Sequence, residues 1–278
     1  MQIDLHCHSY ISDGQLSPTQ LMQLAHQNGT QMIALTDHDH LGGIQEARDA
    51  AQLLGLQFIS GVEVSTTWRG RSIHIVGLNV DEHNQQLQTQ LAQVRSGRLE
   101  RLLKMSDRFD KKGIHGVYEG ALALSENTEM VGRAHIARFL VKEGHVKNMN
   151  QAFKKYLGDG KSAYVAHEWA SIPEAISWIR QAGGIAVIAH PGRYAISATA
   201  MRSLIEEFKD AGGEAIEVAC SCHKQNEIIN YALLAQRYEL FSSVGSDFHA
   251  IGEGGRVLGQ PPSLPVICRP VWTEFRVN

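Results

Sequence analysis

The sequence predicts an α/β fold in which the strands close into a barrel of seven, with a helical insertion after the fourth. Three observations carry this expectation. Apolar runs near residues 2–7, 31–36, 56–62, 72–79, 185–190, 215–220 and 240–246 have the length of strands, and helical patterns alternate with them, which implies a parallel sheet. Nine side chains of metal-ligand type, His6, His8, Asp13, His38, Glu63, His74, His190, Asp247 and His249, cluster at the ends of those runs. An open sheet would keep the first and last of them far apart, whereas closure brings them together. Finally, the alternation fails in the middle of the chain, so a barrel domain is expected over 1–83 and 166–278 and a helical cap over 84–165.

The elements follow in order. In Ile3-Asp4-Leu5-His6-Cys7-His8 successive side chains alternate faces, so His6 and His8 leave the same side of a strand. Ser17-Pro18-Thr19-Gln20 supplies an N-cap, a first-turn proline and Gln at N3, followed by Leu21, Leu24 and Ala25 and a stop at Gly29. The second run delivers Thr36-Asp37-His38-Asp39-His40, and a helix over 42–54 stops at Gly55. The third run delivers Glu63, while His74 sits inside the fourth. Residues 84–112 read as one long charged helix, followed by helical pieces near 118–126, 133–143 and 148–157. The capping box Ser171-Ile172-Pro173-Glu174 opens a helix that ends at Gly183-Gly184. The fifth run then delivers His190-Pro191, two helices are expected over 199–211 and 224–237, and the last run ends in Ser246-Asp247-Phe248-His249. Four prolines after residue 259 predict an irregular path over the surface.

Composition narrows the class. A hydrophobic content of 43% over 278 residues excludes disorder and allows a large core. No run approaches the roughly 18 apolar residues of a membrane span, and a strand from residue 2 leaves no room for a signal peptide, so a cytoplasmic protein without a membrane partner is expected. Nothing indicates an obligate protein partner. Cys7, Cys220, Cys222 and Cys268 lack CxxC spacing and read as reduced thiols. Residues 95–161 hold 14 Lys and Arg against 8 Asp and Glu, leaving 12 against 21 elsewhere. A basic segment in an acidic body is either a solvated helical surface or a cap that attracts polyanions such as nucleotides or short RNA.

Imidazole and carboxylate donors suit Mn²⁺, Zn²⁺ or Fe²⁺ better than Mg²⁺ or Ca²⁺. Nine ligands exceed one centre that keeps open positions, so two or three divalent ions are expected, manganese first, with zinc or iron as alternatives. Three such ions against the carboxylates of Asp13, Glu63 and Asp247 leave a positive site, suited to phosphate and to in-line displacement at phosphorus. A deaminase or other amidohydrolase also begins with HxH but often uses a lysine at a strand end, and none stands there. A non-catalytic nucleotide- or RNA-binding barrel is the third alternative.

The motifs Asp4-Leu5-His6-Cys7-His8-Ser9, Ser12-Asp13-Gly14, Thr36-Asp37-His38-Asp39, Gly61-Val62-Glu63-Val64-Ser65, Ala189-His190-Pro191 and Gly245-Ser246-Asp247-Phe248-His249 resemble those of the PHP (polymerase and histidinol phosphatase) family. Val131-Gly132-Arg133-Ala134-His135-Ile136-Ala137-Arg138 and Gly160-Lys161-Ser162-Ala163-Tyr164-Val165 resemble its YciV/TrpH-like branch. The resemblance implies a distorted TIM-like (β/α)7 barrel and a phosphoesterase acting on nucleoside 3′,5′-bisphosphates, with an AMP-like product. A 5′-to-3′ exoribonuclease action on short 5′-phosphorylated RNA is also implied, and 5′-mononucleotides or histidinol phosphate are alternative substrates. It assigns His6, His8, Glu63 and Asp247 to one ion, Glu63, His74 and His190 to a second, and Asp13, His38 and His249 to a third. Metal-activated hydroxide would be the nucleophile. Asp37 and Asp39 would orient ligands or cap the turn after the second strand. Arg133, His135, Lys161 and His223 would bind substrate, and His223 would also protonate a leaving oxygen, with Arg193 and Arg256 as weaker candidates. His40 and Cys222 depart from the family pattern; His40 would add a ligand or only a hydrogen bond, and Cys222 would tune metal preference if its thiol faces inward.

Overall fold

The computed structural model describes residues 1–275, in eight strands: β1 Ile3–Asp4, β2 Met32–Leu35, β3 Gln57–Trp68, β4 Arg71–Leu78, β5 Ala170–Ser171, β6 Ile185–Ile188, β7 Ala215–Cys220 and β8 Phe241–Gly245. Seven run β1-β2-β3-β4-β6-β7-β8, and the short β5 pairs with the far end of β3. The ends of that path meet: Leu5 N–H donates to the Val244 carbonyl at 3.0 Å, His8 N–H to Phe248 at 2.9 Å and Asp247 N–H to His6 at 2.8 Å. The barrel expected from the sequence is therefore present, and its closure joins the first ligand pair to the last.

One expectation needs correction. The sheet is not all parallel, because β4 runs antiparallel to both β3 and β6. The cause is local. Arg69-Gly70 joins β3 to β4 with both residues at positive φ, 48° and 74°, a two-residue hairpin turn that leaves no room for a crossover helix. The reversal has a use. It sets the first half of β4 beside the C-terminal half of β3, pairing His74 with Ser65 two residues from Glu63.

The helices are α1 Pro18–Gln27, α2 Ile44–Leu54, α3 Gln85–Ser96, α4 Arg98–Asp110, α5 Val117–Leu122, α6 Arg133–Lys142, α7 Met149–Ala152, α8 Ile172–Gln181, α9 Ala198–Asp210 and α10 Gln225–Arg237. The capping boxes at Ser17 and Ser171 form as expected, and Gly55 ends α2 in the left-handed region. The helix expected over 84–112 is broken at Gly97, where the bare Cα lies against the ring of His167; a Cβ would meet that ring at 2.3 Å.

Two apolar layers form around the sheet. Leu5, Ala34, Ile59, Val76, Val187 and Ala189 pack inside the barrel, and Val62, Ile75, Ile176, Leu204 and Phe208 are among those that pack between strands and helices. The tail departs from expectation. Val271 and Phe275 enter the inner cluster, and Ser242 N–H donates to the Arg269 carbonyl at 2.7 Å, so the irregular segment closes one end of the barrel. Val271→Ala is expected to cost about 2 kcal/mol through lost burial and the cavity left behind. A fall in the denaturant midpoint at unchanged slope would report it.

Leu102, Met105, Phe109, Val117, Ile136, Leu140 and Leu157 bury a separate core within the helical segment. Polar contacts tie that segment to the rim carrying the candidate donors. Arg138 pairs with Glu253 at 2.8 Å and donates to the Asp13 carbonyl at 2.6 Å, and Asn127 donates to the Ile11 carbonyl at 2.9 Å.

Candidate metal centre

All nine side chains singled out by their position in the sequence converge at one rim of the barrel. His6 Nε2 and His8 Nε2 lie 3.3 and 3.2 Å from Glu63 Oε2, and 3.7 and 3.4 Å from Asp247 Oδ1. For bonds of about 2.1 Å, tetrahedral donors stand about 3.4 Å apart, so these four atoms could hold one ion. The other oxygen of Glu63 faces His74 Nδ1 and His190 Nε2, each at 2.9 Å. Asp13 Oδ1 stands 3.3 Å from His249 Nε2, and Asp13 Oδ2 3.9 Å from His38 Nε2. His38 also turns Nδ1 towards Glu63 Oε2 at 3.0 Å, so it stands between two groups.

The donor atoms themselves test whether cations fit. Among the described residues, twelve buried side-chain polar atoms have no hydrogen-bond partner, and eight of them belong to these nine residues, including His6 Nε2, His8 Nε2, Glu63 Oε2 and Asp247 Oδ1. Buried polar groups are nearly always paired, so a concentration of orphans facing one another marks a place built for a ligand that satisfies them together. Charge agrees. Burial opposes ionisation of Glu63 and Asp247, yet His38 and His74 around the one, and Arg193 and Arg256 beside the other, hold both carboxyls well below the usual range. Burial likewise opposes a charged His8, but Asp247 and Glu63 push it up to about 9, so this point favours positive charge.

A proton on His8 competes with a cation. Metal binding is therefore expected to release protons at pH 7, and affinity should fall as pH drops below about 9, by up to about tenfold per unit for each proton displaced. Titration calorimetry in two buffers of different ionisation heat counts them; a count of zero would contradict the argument.

Backbone geometry supports the same point. His190 and Asp247 hold positive φ, 27° and 52°, conformations costly for side-chain-bearing residues and retained where the surroundings impose them. Glu217 imposes the first. It is buried on β7, its Oε1 lies 3.2 Å from His6 Nδ1, and its Oε2 accepts from His190 N–H at 2.5 Å. Bare Gly245 makes room, since a Cβ there would meet Glu217 Oε1 and the His6 Cβ at 2.3 Å. Glu217 was not among the expected site residues; its signal was a lone carboxylate in the apolar run Ala215-Ile216-Glu217-Val218-Ala219. It leaves His6 Nε2 free as a donor atom by binding Nδ1. Glu217→Gln is expected to weaken metal binding at least about tenfold while leaving the fold cooperative. Metal titration followed by thermal unfolding checks both parts.

Other expected residues are placed differently. Asp37 accepts from Ser9 N–H at 2.8 Å and from the Ser9 and Ser12 hydroxyls at 2.6 Å, shaping the loop that carries Asp13. Asp39 accepts from Ser65 N–H and hydroxyl, both at 2.7 Å, and pairs with Arg98. Neither hydrogen-bonds a ligand ring. His40 Nδ1 accepts from Gly42 N–H at 2.8 Å, a loop contact. His135 is buried at the start of α6, where its ring accepts from Gly132 N–H at 3.2 Å and burial brings its pKa down to about 4. His223 is buried too. Its Nδ1 faces the Val218 carbonyl at 2.9 Å and its Nε2 accepts from Gly192 N–H at 3.0 Å, so both nitrogens serve backbone next to His190. Neither His135 nor His223 is among the residues that line the cavity above the centre.

That cavity has a volume of about 540 Å³. The candidate donors Asp13, His38, His74, His190 and His249 line it, together with Arg71, Arg98, Arg101, Arg133, Lys161, Arg193 and Arg256. Trp169 adds an aromatic face, with the guanidinium of Arg98 4.9 Å from its ring centre.

A rim of imidazole and carboxylate donors beneath a wall of guanidinium groups is equipped for one kind of chemistry, displacement at a phosphate held between them. The protein is, in class, a metal-dependent phosphoesterase. The chain belongs to the PHP domain family, whose match covers residues 4–181, and within it to the YciV-like branch. It is 48% identical over 276 residues to a 3′,5′-nucleoside bisphosphate phosphatase of Chromobacterium violaceum, covering 99% of this chain and 97% of that one. A 5′-3′ exoribonuclease of Haemophilus influenzae is 46% identical over 272 residues, 98% of each. Among solved structures, a Chromobacterium violaceum protein described as an amidohydrolase, with bound sulfate and no metal, superposes with a TM-score of 0.96 at 46% identity, over 99% of this chain and 96% of that one. A metal-dependent phosphoesterase, so described, of Bifidobacterium adolescentis gives 0.81 at 27%, over 98% and 93%.

Proposed function

We propose that the protein removes the 3′-phosphate of nucleoside 3′,5′-bisphosphates, using the nine converged side chains to hold two or three divalent ions. The cavity carries this reading. Its donor-lined floor suits one phosphate, and its cationic walls suit a second, as a bisphosphate requires. The similarity to the Chromobacterium violaceum phosphatase points the same way.

Bound there, divalent ions supply Lewis acidity and an activated water. The chain's own residues do the rest. Glu63 sets two groups of donors at a fixed spacing, one on each oxygen, and Glu217 holds His6 and the His190 turn against it. Arg193 pairs with Asp247 Oδ2 at 2.5 Å and Arg256 donates to the Asp247 carbonyl at 2.8 Å, so both present positive charge at the edge of the centre. Residues 84–165 act as a cap in this proposal, with Arg133 and Lys161 meeting the second phosphate and Trp169 the base. The proposal includes a cytoplasmic location; among the described residues no helix is long and apolar enough to cross a membrane.

A second reading, trimming of short RNA from its 5′ end, is favoured by Arg98 and Arg101 around Trp169, because aromatic and guanidinium faces stack bases regardless of sequence. One assay separates the readings. Protein supplied with manganese, and in parallel with zinc or iron, is given a nucleoside 3′,5′-bisphosphate, a 5′-monophosphate, histidinol phosphate and a short 5′-phosphorylated RNA, with phosphate, nucleotide and ammonia release followed. Fastest phosphate release from the bisphosphate is expected. No release from it would overturn the proposal, and nucleotide release from RNA alone would establish the second reading.

A further inference from the structure

Beside the centre, at the end of β7, lies another group of ligand-type side chains, Cys220, Cys222 and His223. A metal does not suit it. Both nitrogens of His223 are engaged with Gly192 N–H and the Val218 carbonyl, which leaves two sulfurs. Those sulfurs are 2.8 Å apart, brought together by a turn in which His223 N–H donates to the Cys220 carbonyl at 2.8 Å and Cys222 N–H points at Cys220 Sγ at 3.4 Å. Cys220 is buried, whereas Cys222 is half-buried and within reach of a small oxidant.

We propose that Cys220 and Cys222 form a dithiol that small peroxides convert to a disulfide, and that this conversion lowers activity through His223, which holds the Gly192 turn beside His190. The two thiols differ as such a pair requires. Hydrogen bonding with Cys220, with His223 and Arg193 beside it, brings the Cys222 thiol down to about 6, and burial raises Cys220 well above the ordinary range. Cys222 is therefore the attacking thiolate. Its sulfur takes one oxygen from the peroxide, forming an S–O bond as the O–O bond breaks and hydroxide leaves. The thiol of Cys220 then displaces that oxygen, forming the S–S bond and releasing water with its proton. Two sulfurs lose two electrons, and the peroxide gains them. Closing the S–S bond draws the two sulfurs together and so shifts the turn that carries His223, whose Nε2 accepts from Gly192 N–H, two residues from His190.

The test uses the full chain. Metal-stripped protein is treated with hydrogen peroxide, freed of it, reloaded with manganese and assayed for phosphate release from a nucleoside 3′,5′-bisphosphate and from p-nitrophenyl phosphate, before and after dithiothreitol. In parallel, free thiols are alkylated and the tryptic peptide 210–224, which holds both cysteines, is weighed. The peptide should be about 2 Da lighter and unalkylated. Activity should fall about tenfold, the loss expected when one hydrogen-bonded contact beside the centre is disturbed, and return with dithiothreitol. Cys222→Ser should resist peroxide, and Cys220→Ser should stop at a sulfenic acid that dimedone captures. A doubly alkylated peptide after peroxide, a disulfide without loss of activity, or equal inactivation of the Cys222→Ser protein would each overturn the proposal. The mass readout needs no substrate, so a wrong substrate and an unreactive cysteine pair give different results.

Discussion

Replacing His8 with Ala is expected to lower kcat/KM at least about 10³-fold, the scale set by losing a metal-activated nucleophile, while the protein stays folded. The position explains the size of the effect. His8 Nε2 faces Glu63 and Asp247, and its Nδ1 lies 4.0 Å from Asp13 Oδ1, so one ring borders two of the three donor groups. Stability should behave differently from activity. A small side chain in place of this ring removes an imidazole whose nitrogens find no hydrogen-bond partner within the chain, and the ring contacts it gives up are with His6, His38 and His249 of the same centre rather than with the apolar core. Metal content by elemental analysis should drop by about one ion per chain, since four donors become three. Full metal content with full activity would move the reaction to another place in the molecule.

Much of this centre was legible in the chain because strands impose a period of two and deliver their terminal residues to one rim. His6 with His8, and His190 and Asp247 at the ends of their runs, needed no more than that. What was not legible depended on turns and on backbone partners. The direction of β4 resides in Arg69-Gly70, and it alone explains how His74, in the middle of an apolar run, reaches Glu63. Glu217 lay hidden inside a strand whose neighbours are all apolar. The backbone partners of His135 and His223 were equally hidden, because nothing in the sequence tells which N–H and carbonyl groups engage a ring near a site. Val271 and Phe275 show the same limit for apolar residues: prolines predicted an irregular tail, but not that two of its side chains would close the barrel.

The second large effect concerns the helical segment 84–165, proposed as a cap. Arg133→Ala together with Lys161→Ala is expected to raise KM for a nucleoside 3′,5′-bisphosphate at least about 10²-fold with little change in kcat, as follows when charge-assisted contacts of about 1.5–3 kcal/mol each are removed away from the reacting phosphorus. Arg133 is already positioned for this. It leans between the rings of Phe153 and Tyr164, 5.9 and 5.8 Å from their centres, and its only ionic partner among the described residues is the exposed Asp159 at 3.2 Å. That partner is an exchangeable one. A surface ion pair is worth little, so a substrate phosphate can displace Asp159 at small cost and gain a two-pronged contact. The single substitution Asp159→Asn gives the opposite sign, lowering KM by freeing the guanidinium. Steady-state kinetics on a bisphosphate and on a 5′-monophosphate separate the roles, because only the substrate with two phosphates should feel the change strongly. Equal losses on both would mean that Arg133 and Lys161 act on the reacting phosphate itself, and the cap would then belong to the catalytic step rather than to substrate selection.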